Sequence, residues 1–181
     1  MLEAFPGAKL LTTIVDASAV PAPLRAAEPS LLQHVPGALR HHEWFLPLMP
    51  LAWRLRPIVR DVDLVISSSH ACAKGVRVDR GIPHLCYCHT PMRYAWDFDA
   101  ERERFPRAIR PFARAGMGWF RRWDRKTAER VTRFVANSTA VAQRIQQAFG
   151  RTADVIHPPV RTESSRRAES ARISSSTSGA S

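Results

Sequence analysis

Pro83-His84-Leu85-Cys86-Tyr87-Cys88-His89-Thr90-Pro91-Met92-Arg93-Tyr94-Ala95-Trp96-Asp97 decides how the rest of this chain is read. Its first half is a short apolar run of strand type, in which side chains alternate between two faces. The run breaks at His89-Thr90-Pro91, since proline disfavours helix for the residue before it and cannot extend a ladder. A polar cluster of His, Thr, Arg, Tyr, Trp and Asp follows at once. In an α/β sheet, ligands bind in the loops after the carboxyl ends of strands. A histidine there can exchange protons near neutral pH, with an arginine and an aspartate close by in sequence. This loop is the first candidate for a functional site.

Working outward, strand-like and helix-like segments alternate. Ala8–Val15 is rich in strand formers, and Asp63-Leu64-Val65-Ile66 reads as a second strand that runs into a small polar loop, Ser67-Ser68-Ser69-His70-Ala71. Met1–Phe5 reads as the last turn of a helix ended by Pro6-Gly7. Prolines punctuate Pro21–Ala38, and Pro47 and Pro50 predict a broken helix over Arg40–Leu55. Downstream of the central loop, Ile109, Phe112, Gly116, Phe120, Trp123, Thr127 and Val131 recur at steps of three or four, marking one face of a helix over Pro106–Val131. Arg133-Phe134-Val135-Ala136 predicts a strand, Ala140–Phe149 a helix with caps at Asn137-Ser138-Thr139 and Gly150, and Ala153-Asp154-Val155-Ile156 a last strand. Strands alternating with helices imply crossover units. The expected fold is a Rossmann-like α/β domain with a mostly parallel sheet and helices on both faces. From Arg161 the periodicity stops and serine and arginine dominate, the composition of a disordered tail. The domain therefore spans 1–160 and the tail 161–181.

Composition narrows the function classes. With 181 residues, 45% of them apolar, the chain can bury a proper core. The formal charge is +11, carried mainly by arginine, since the lysines are Lys9, Lys74 and Lys126. Such charge suits nucleic acid, an anionic membrane surface or a phosphate-bearing substrate, or reflects arginines spread over solvated faces. No helix-turn-helix, zinc-finger or aromatic RNA-binding motif is present, so nucleic acid is not expected. Trp119 and Trp123 lie among Arg107, Arg110, Arg114, Arg121, Arg122 and Arg125, which also suits a helix touching anionic lipid. The three cysteines, Cys72, Cys86 and Cys88, form no disulfide framework and read as reduced, buried thiols of a cytosolic protein. Cys86-Tyr87-Cys88-His89 has no second ligand pair at zinc spacing, so no metal site is expected. No secretory leader is visible, and Trp44–Trp53 falls far short of the roughly 20 apolar residues a spanning helix needs.

Four motifs in order carry a resemblance. Ser67-Ser68-Ser69-His70-Ala71 with Lys74-Gly75, Cys86 through Asp97, Val135-Ala136-Asn137-Ser138 and Val155-Ile156-His157-Pro158-Pro159-Val160 resemble family 4 (group 1) glycosyltransferases, nearest to the bacterial mannosyltransferase-like branch that builds surface polysaccharides. The resemblance implies the amino-terminal, acceptor-side half of a two-domain GT-B architecture. It implies retaining hexosyl transfer from a nucleotide-diphosphate sugar to a sugar or lipid-linked acceptor, with no metal, in the cytoplasm or on the inner face of the membrane. By the same resemblance His89 lines the cleft as the catalytic imidazole. Thr90, Arg93 and Asp97 lie at its rim. Ser69, His70 and Lys74 line the acceptor side, and Asn137 and Ser138 lie near the cleft. The family begins with a strand and glycine-rich loop and continues into a donor domain. Relative to that pattern the chain reads as truncated at both ends and inactive alone. The other reading is a non-catalytic membrane-surface or ligand-binding fragment.

Overall fold

The computed structural model describes residues 4–40, 42–101, 107 and 110–159. The quoted run folds as a strand, as its alternation requires. His84, Cys86 and Cys88 are buried and Leu85 and Tyr87 are half-buried. In chain order the strands are β1 (Val65–Ser69), β2 (His84–Cys88), β3 (Arg133–Ala136) and β4 (Ala153–Val155). They form one parallel sheet in the order β1-β2-β3-β4, with Ser69 opposite Cys88 and Cys88 opposite Ala136. The helices are α1 (Met49–Leu55), α2 (Arg93–Trp96), α3 (Phe98–Glu101), α4 (Arg110–Ala128) and α5 (Thr139–Phe149). The Rossmann-like α/β expectation holds.

Each new strand is added beside the last in one direction, so right-handed crossovers place α4 and α5 on the same face. There Cys86, Cys88, Phe134 and Ala136 pack with Ala128, Val131, Val141 and Ile145. The opposite face shows Ile66, Leu85, Tyr87 and Val135, half-buried, and Ser68, exposed. A second cluster, Trp53, Cys72, Val76, Met92, Ala95, Met117 and Phe120, joins α1 and the β1 and β2 loops to the first half of α4.

Three expectations need correction. Ala8–Val15 is not a strand of the sheet, and makes one parallel bridge, Leu11 to Glu28. The backbone of this segment is taken up by residues 28–30, with Glu28 N–H donating to Leu10 O at 2.8 Å and Ser30 N–H to Thr13 O at 3.1 Å. The Arg56 guanidinium donates to the Thr12 and Glu28 carbonyls. β1 starts two residues later than expected and takes in Ser67-Ser68-Ser69, because the ladder with β2 continues to Cys88 and the buried hydroxyls find partners. Ser67 Oγ lies 2.8 Å from His84 Nε2, and Ser69 Oγ accepts from Lys74 N–H at 3.4 Å. On α4, among the described residues, Phe120 and Thr127 are buried as the pattern expects, but Met117 and Asp124 are buried where the pattern has Gly116 and Trp123, which are half-buried.

Other local readings agree with the chemistry that suggested them. The expected broken helix is a 3-10 helix, His42–Leu48, with Pro47 inside it, followed directly by α1, with Pro50 in its first turn. Ser138 caps α5, its Oγ accepting from Val141 N–H, and Gly150 ends it at φ 67°, a left-handed conformation that favours glycine. The turn expected at Met1–Phe5 falls mostly outside the described residues, as do Ile109 and the tail 161–181.

Candidate functional site

The carboxyl ends of all four strands meet along one edge of the sheet, where the chain leaves each strand with its side chains uncommitted to the core. His89 is the first residue past β2. Its N–H donates to Ser69 O at 2.8 Å, carrying the β1–β2 ladder one step beyond the strand. The ring is exposed, and its Nε2 lies 2.9 Å from the hydroxyl of Ser68 on the neighbouring strand. The Tyr87 ring meets it edge to face with centroids 5.2 Å apart. Tyr87 in turn donates its hydroxyl to Ile156 O at 3.0 Å, past the end of β4. Asn137 N–H reaches Cys88 O at 3.4 Å, and Asn137 O lies 3.2 Å from His157 Nδ1, which must carry the proton in that contact. His70, His89, Asn137 and His157 thus follow the ends of β1, β2, β3 and β4 in turn.

The expected site residues divide into a rim and a floor. His70, His89, Arg93 and Asp97 are exposed, and Thr90, Asn137 and Ser138 are half-buried. Arg93 opens α2, and Asp97 ends it, its N–H donating to Arg93 O at 2.7 Å. Asp97 also borders a cavity of about 370 Å³ between α2–α3 and α4, walled further by Trp96, Asp99, Arg114 and Arg121. Ser138 spends its hydroxyl on the α5 cap. Ser69 and Lys74 lie beneath, each 1% exposed.

Lys74 is held by charge. Its Nζ pairs with Asp124 Oδ1 of α4 and donates to Ala71 O at 3.1 Å, while Asp124 Oδ2 accepts from Trp96 Nε1 at 2.8 Å. The ammonium also lies 5.2 Å from the centre of the Phe149 ring and 5.9 Å from that of Trp123. Through these contacts the loop after β1, the α2 segment and α4 are tied at one point. Arg121 adds a bond from its Nε to Ala95 O at 2.6 Å. The segment bearing Arg93 and Asp97 is therefore fixed from below.

Burial shifts several other titratable groups nearby. Desolvation pushes the Cys72 thiol up to about 12, and raises the Tyr94 hydroxyl far above its usual range. Its hydrogen bond to Cys86 and burial raise the Cys88 thiol above its usual range. All three cysteines are free and buried. His84, at the opposite end of β2, is lowered to about 4 by desolvation. Among the described residues no group of three or more His, Cys, Asp or Glu side chains is arranged to hold a metal ion.

Sequence reading missed Ser68, Tyr87 and Asp124. Strand alternation was the available signal for the first two, because Tyr87 shares a face with His89 and Ser68 is its register partner. Asp124 stands among arginines and reads locally as a solvated charge. Its only signal was its place, three and four residues from Thr127 and Phe120 on the inward face.

The family model described as Glycosyltransferase Family 4 matches residues 10–164. No curated protein and no solved structure matches the chain.

Proposed function

The chain belongs to glycosyltransferase family 4, and we propose that it is the acceptor-side unit of a retaining, nucleotide-sugar-dependent hexosyltransferase. The observation that carries this reading is the exposed His89 imidazole at the sheet's carboxyl edge, oriented by Ser68 and Tyr87. An imidazole so placed hydrogen-bonds a sugar hydroxyl in the ground state. It also stabilises charge on a departing diphosphate in the transition state. His89 is the catalytic residue of this proposal. Thr90, Arg93 and Asp97 bind from the α2 side, His70 from the β1 side, and Asn137 and Ser138 from β3. Ser69 and Lys74, both buried, act on substrate only by shaping the loops above them. Arginine at the rim suits a phosphate or a charged sugar, and aspartate suits hydroxyls. The donor's remaining contacts come from a second α/β unit facing this one, so the single unit transfers sugar weakly or not at all. No metal takes part. The substrate class is a hexose, mannose first, delivered to a sugar or lipid-linked acceptor during surface polysaccharide or glycolipid synthesis on the cytoplasmic side.

A thermal melt of the chain against a panel of nucleotide sugars and oligosaccharide acceptors tests this proposal. A cooperative transition raised by one of them, and no longer raised in His89→Ala, is the expected result. A transition that none of them moves, or a shift that survives His89→Ala, overturns it.

A second reading rests on α4. Trp119 is 55% exposed on a helix face that also presents Arg122 and Lys126, three and seven residues on. An aromatic ring among cations suits the headgroup region of an anionic bilayer, so this face is proposed to hold the protein on the membrane peripherally. Among the described residues no helix is long and apolar enough to cross a membrane. Binding to anionic vesicles that Trp119→Ala does not weaken would remove this reading.

A further inference from the structure

α4 runs from the loop after β2 to the start of β3, so its last turn lies towards the amino ends of the strands, away from His89. There a cavity of about 240 Å³ opens between α1, the loop after β1 and α4. Four cations line it: Arg54 of α1, Arg77, Lys126 in the last turn of α4 and Arg130, two residues past its end. Among the described residues no acidic residue lines it. The side chains of Arg54, Lys126 and Arg130 make no ion pair or hydrogen bond with any described residue. Arg77 is oriented by a bond from its Nη2 to Arg56 O at 3.1 Å, which leaves its Nε buried without an acceptor.

Here four cations from three separate elements border one concavity. The remaining walls are made to measure. Trp123 lies so close to the backbone of Gly75 that a Cβ on Gly75 would come within 2.6 Å of the ring, and Thr127 has its hydroxyl engaged with Asp124 O at 2.9 Å. The charged side chains lining the cavity are all cations. The negative end of the α4 dipole eases the crowding of Lys126 and Arg130 but supplies no discrete acceptor for Arg77 or Arg54.

We propose that this cavity is an oxyanion site that takes a phosphate or diphosphate group, distinct from the sheet-edge site and independent of the function proposed for it. A tetrahedral phosphate offers several acceptors to guanidinium and ammonium donors, which a carboxylate or a sugar hydroxyl does not match in number. The group belongs either to a soluble phosphate compound or to a lipid headgroup, and the chemistry of the cavity is the same for both.

The probe is inorganic pyrophosphate, titrated calorimetrically into the full chain at low ionic strength. Lys126→Gln with Arg130→Gln removes two charges from the cavity at exposed positions. Arg122→Gln with Arg144→Gln removes two from exposed helix positions elsewhere and serves as the control. The expected result is saturable binding that the first pair weakens by about tenfold or more and the control pair by less than about threefold. Equal weakening by both pairs would mean diffuse charge and would overturn the site, as would the absence of saturable binding to a folded wild-type chain. Vesicles containing phosphatidylglycerol separate the sources. Vesicle binding that pyrophosphate displaces and the cavity pair abolishes assigns the site to a headgroup. Pyrophosphate binding that leaves vesicle association unchanged assigns it to a soluble phosphate.

Discussion

Two ion pairs in this molecule join the same kinds of group in opposite surroundings. Lys74 and Asp124 meet in the interior, with side chains 2% and 0% exposed, while Arg133 and Asp154 meet across the β3–β4 edge at 67% and 49%. In the edge pair both guanidinium contacts are good, at 2.6 and 3.3 Å, yet water competes for each charge and little stability results. In the interior neither charge has water to return to. The pair is surrounded by Ala71 O, Trp96 Nε1 and the Phe149 ring, so each charge depends on the other. The lesson concerns removal more than formation. A buried pair adds little over well-packed apolar residues, but losing one partner strands the other.

The largest effect that would break this contrast is Asp124→Ala, which leaves the Lys74 ammonium buried and the Trp96 indole without its acceptor. Denaturant unfolding is expected to show a loss of about 3–5 kcal/mol, enough to unfold a domain of ordinary stability. Replacing both partners, Lys74→Met with Asp124→Leu, is expected to recover most of that loss. A double variant as unstable as Asp124→Ala would show that the hydrogen bonds, not the stranded charge, carry the cost.

A second buried group sharpens the comparison through pH. The folded-state value of His84, about 4, lies below the ordinary 6.5, so the unfolded chain binds the extra proton first. Its contribution is fully present above about pH 6.5 and is lost as pH falls through about 4. Stability should decline over that window by about 3 kcal/mol, and His84→Gln should flatten the decline in a series of melts at stepped pH. An unchanged slope in that variant would assign the loss to other groups.

Smaller effects belong to the edge. Ser138→Ala removes the cap on Val141 N–H and should cost about 1 kcal/mol in equilibrium unfolding. His89→Ala, at an exposed ring, should change stability by no more than about 0.5 kcal/mol while abolishing any ligand-induced shift of the melt. A large destabilisation by His89→Ala would place the ring in the structural frame. Arg133→Gln should leave the unfolding midpoint unchanged at moderate salt.

Much of the frame was legible in the residues. The alternation in His84–Cys88 and Arg133–Ala136, the hydroxyl of Ser138 before an apolar-periodic run and Gly150 after it are local signals read by nearest neighbours. They led to β2, β3 and α5 almost residue for residue. The loop of His89, Thr90 and Pro91 was equally plain, because proline ends a strand wherever the strand lies. Ala8–Val15 failed for the complementary reason. Strand formers state a tendency to extend, but whether an extended segment joins a sheet depends on what offers it hydrogen bonds. Here residues 28–30 and the Arg56 side chain did so.

The sequence by itself determined the alternating α/β order, the polar edge after β2, the buried thiols and the excess of positive charge. Only the tertiary structure decided which charges are used. It turned Asp124 of α4 inward, placed Lys74 beneath the loop and set Ser68 against His89. It also gathered Arg54, Arg77, Lys126 and Arg130 from three elements around one cavity. The physical reason is range. Periodicity and capping act over three or four residues, while the Lys74–Asp124 bond joins positions 50 residues apart, which only the packed fold brings within reach.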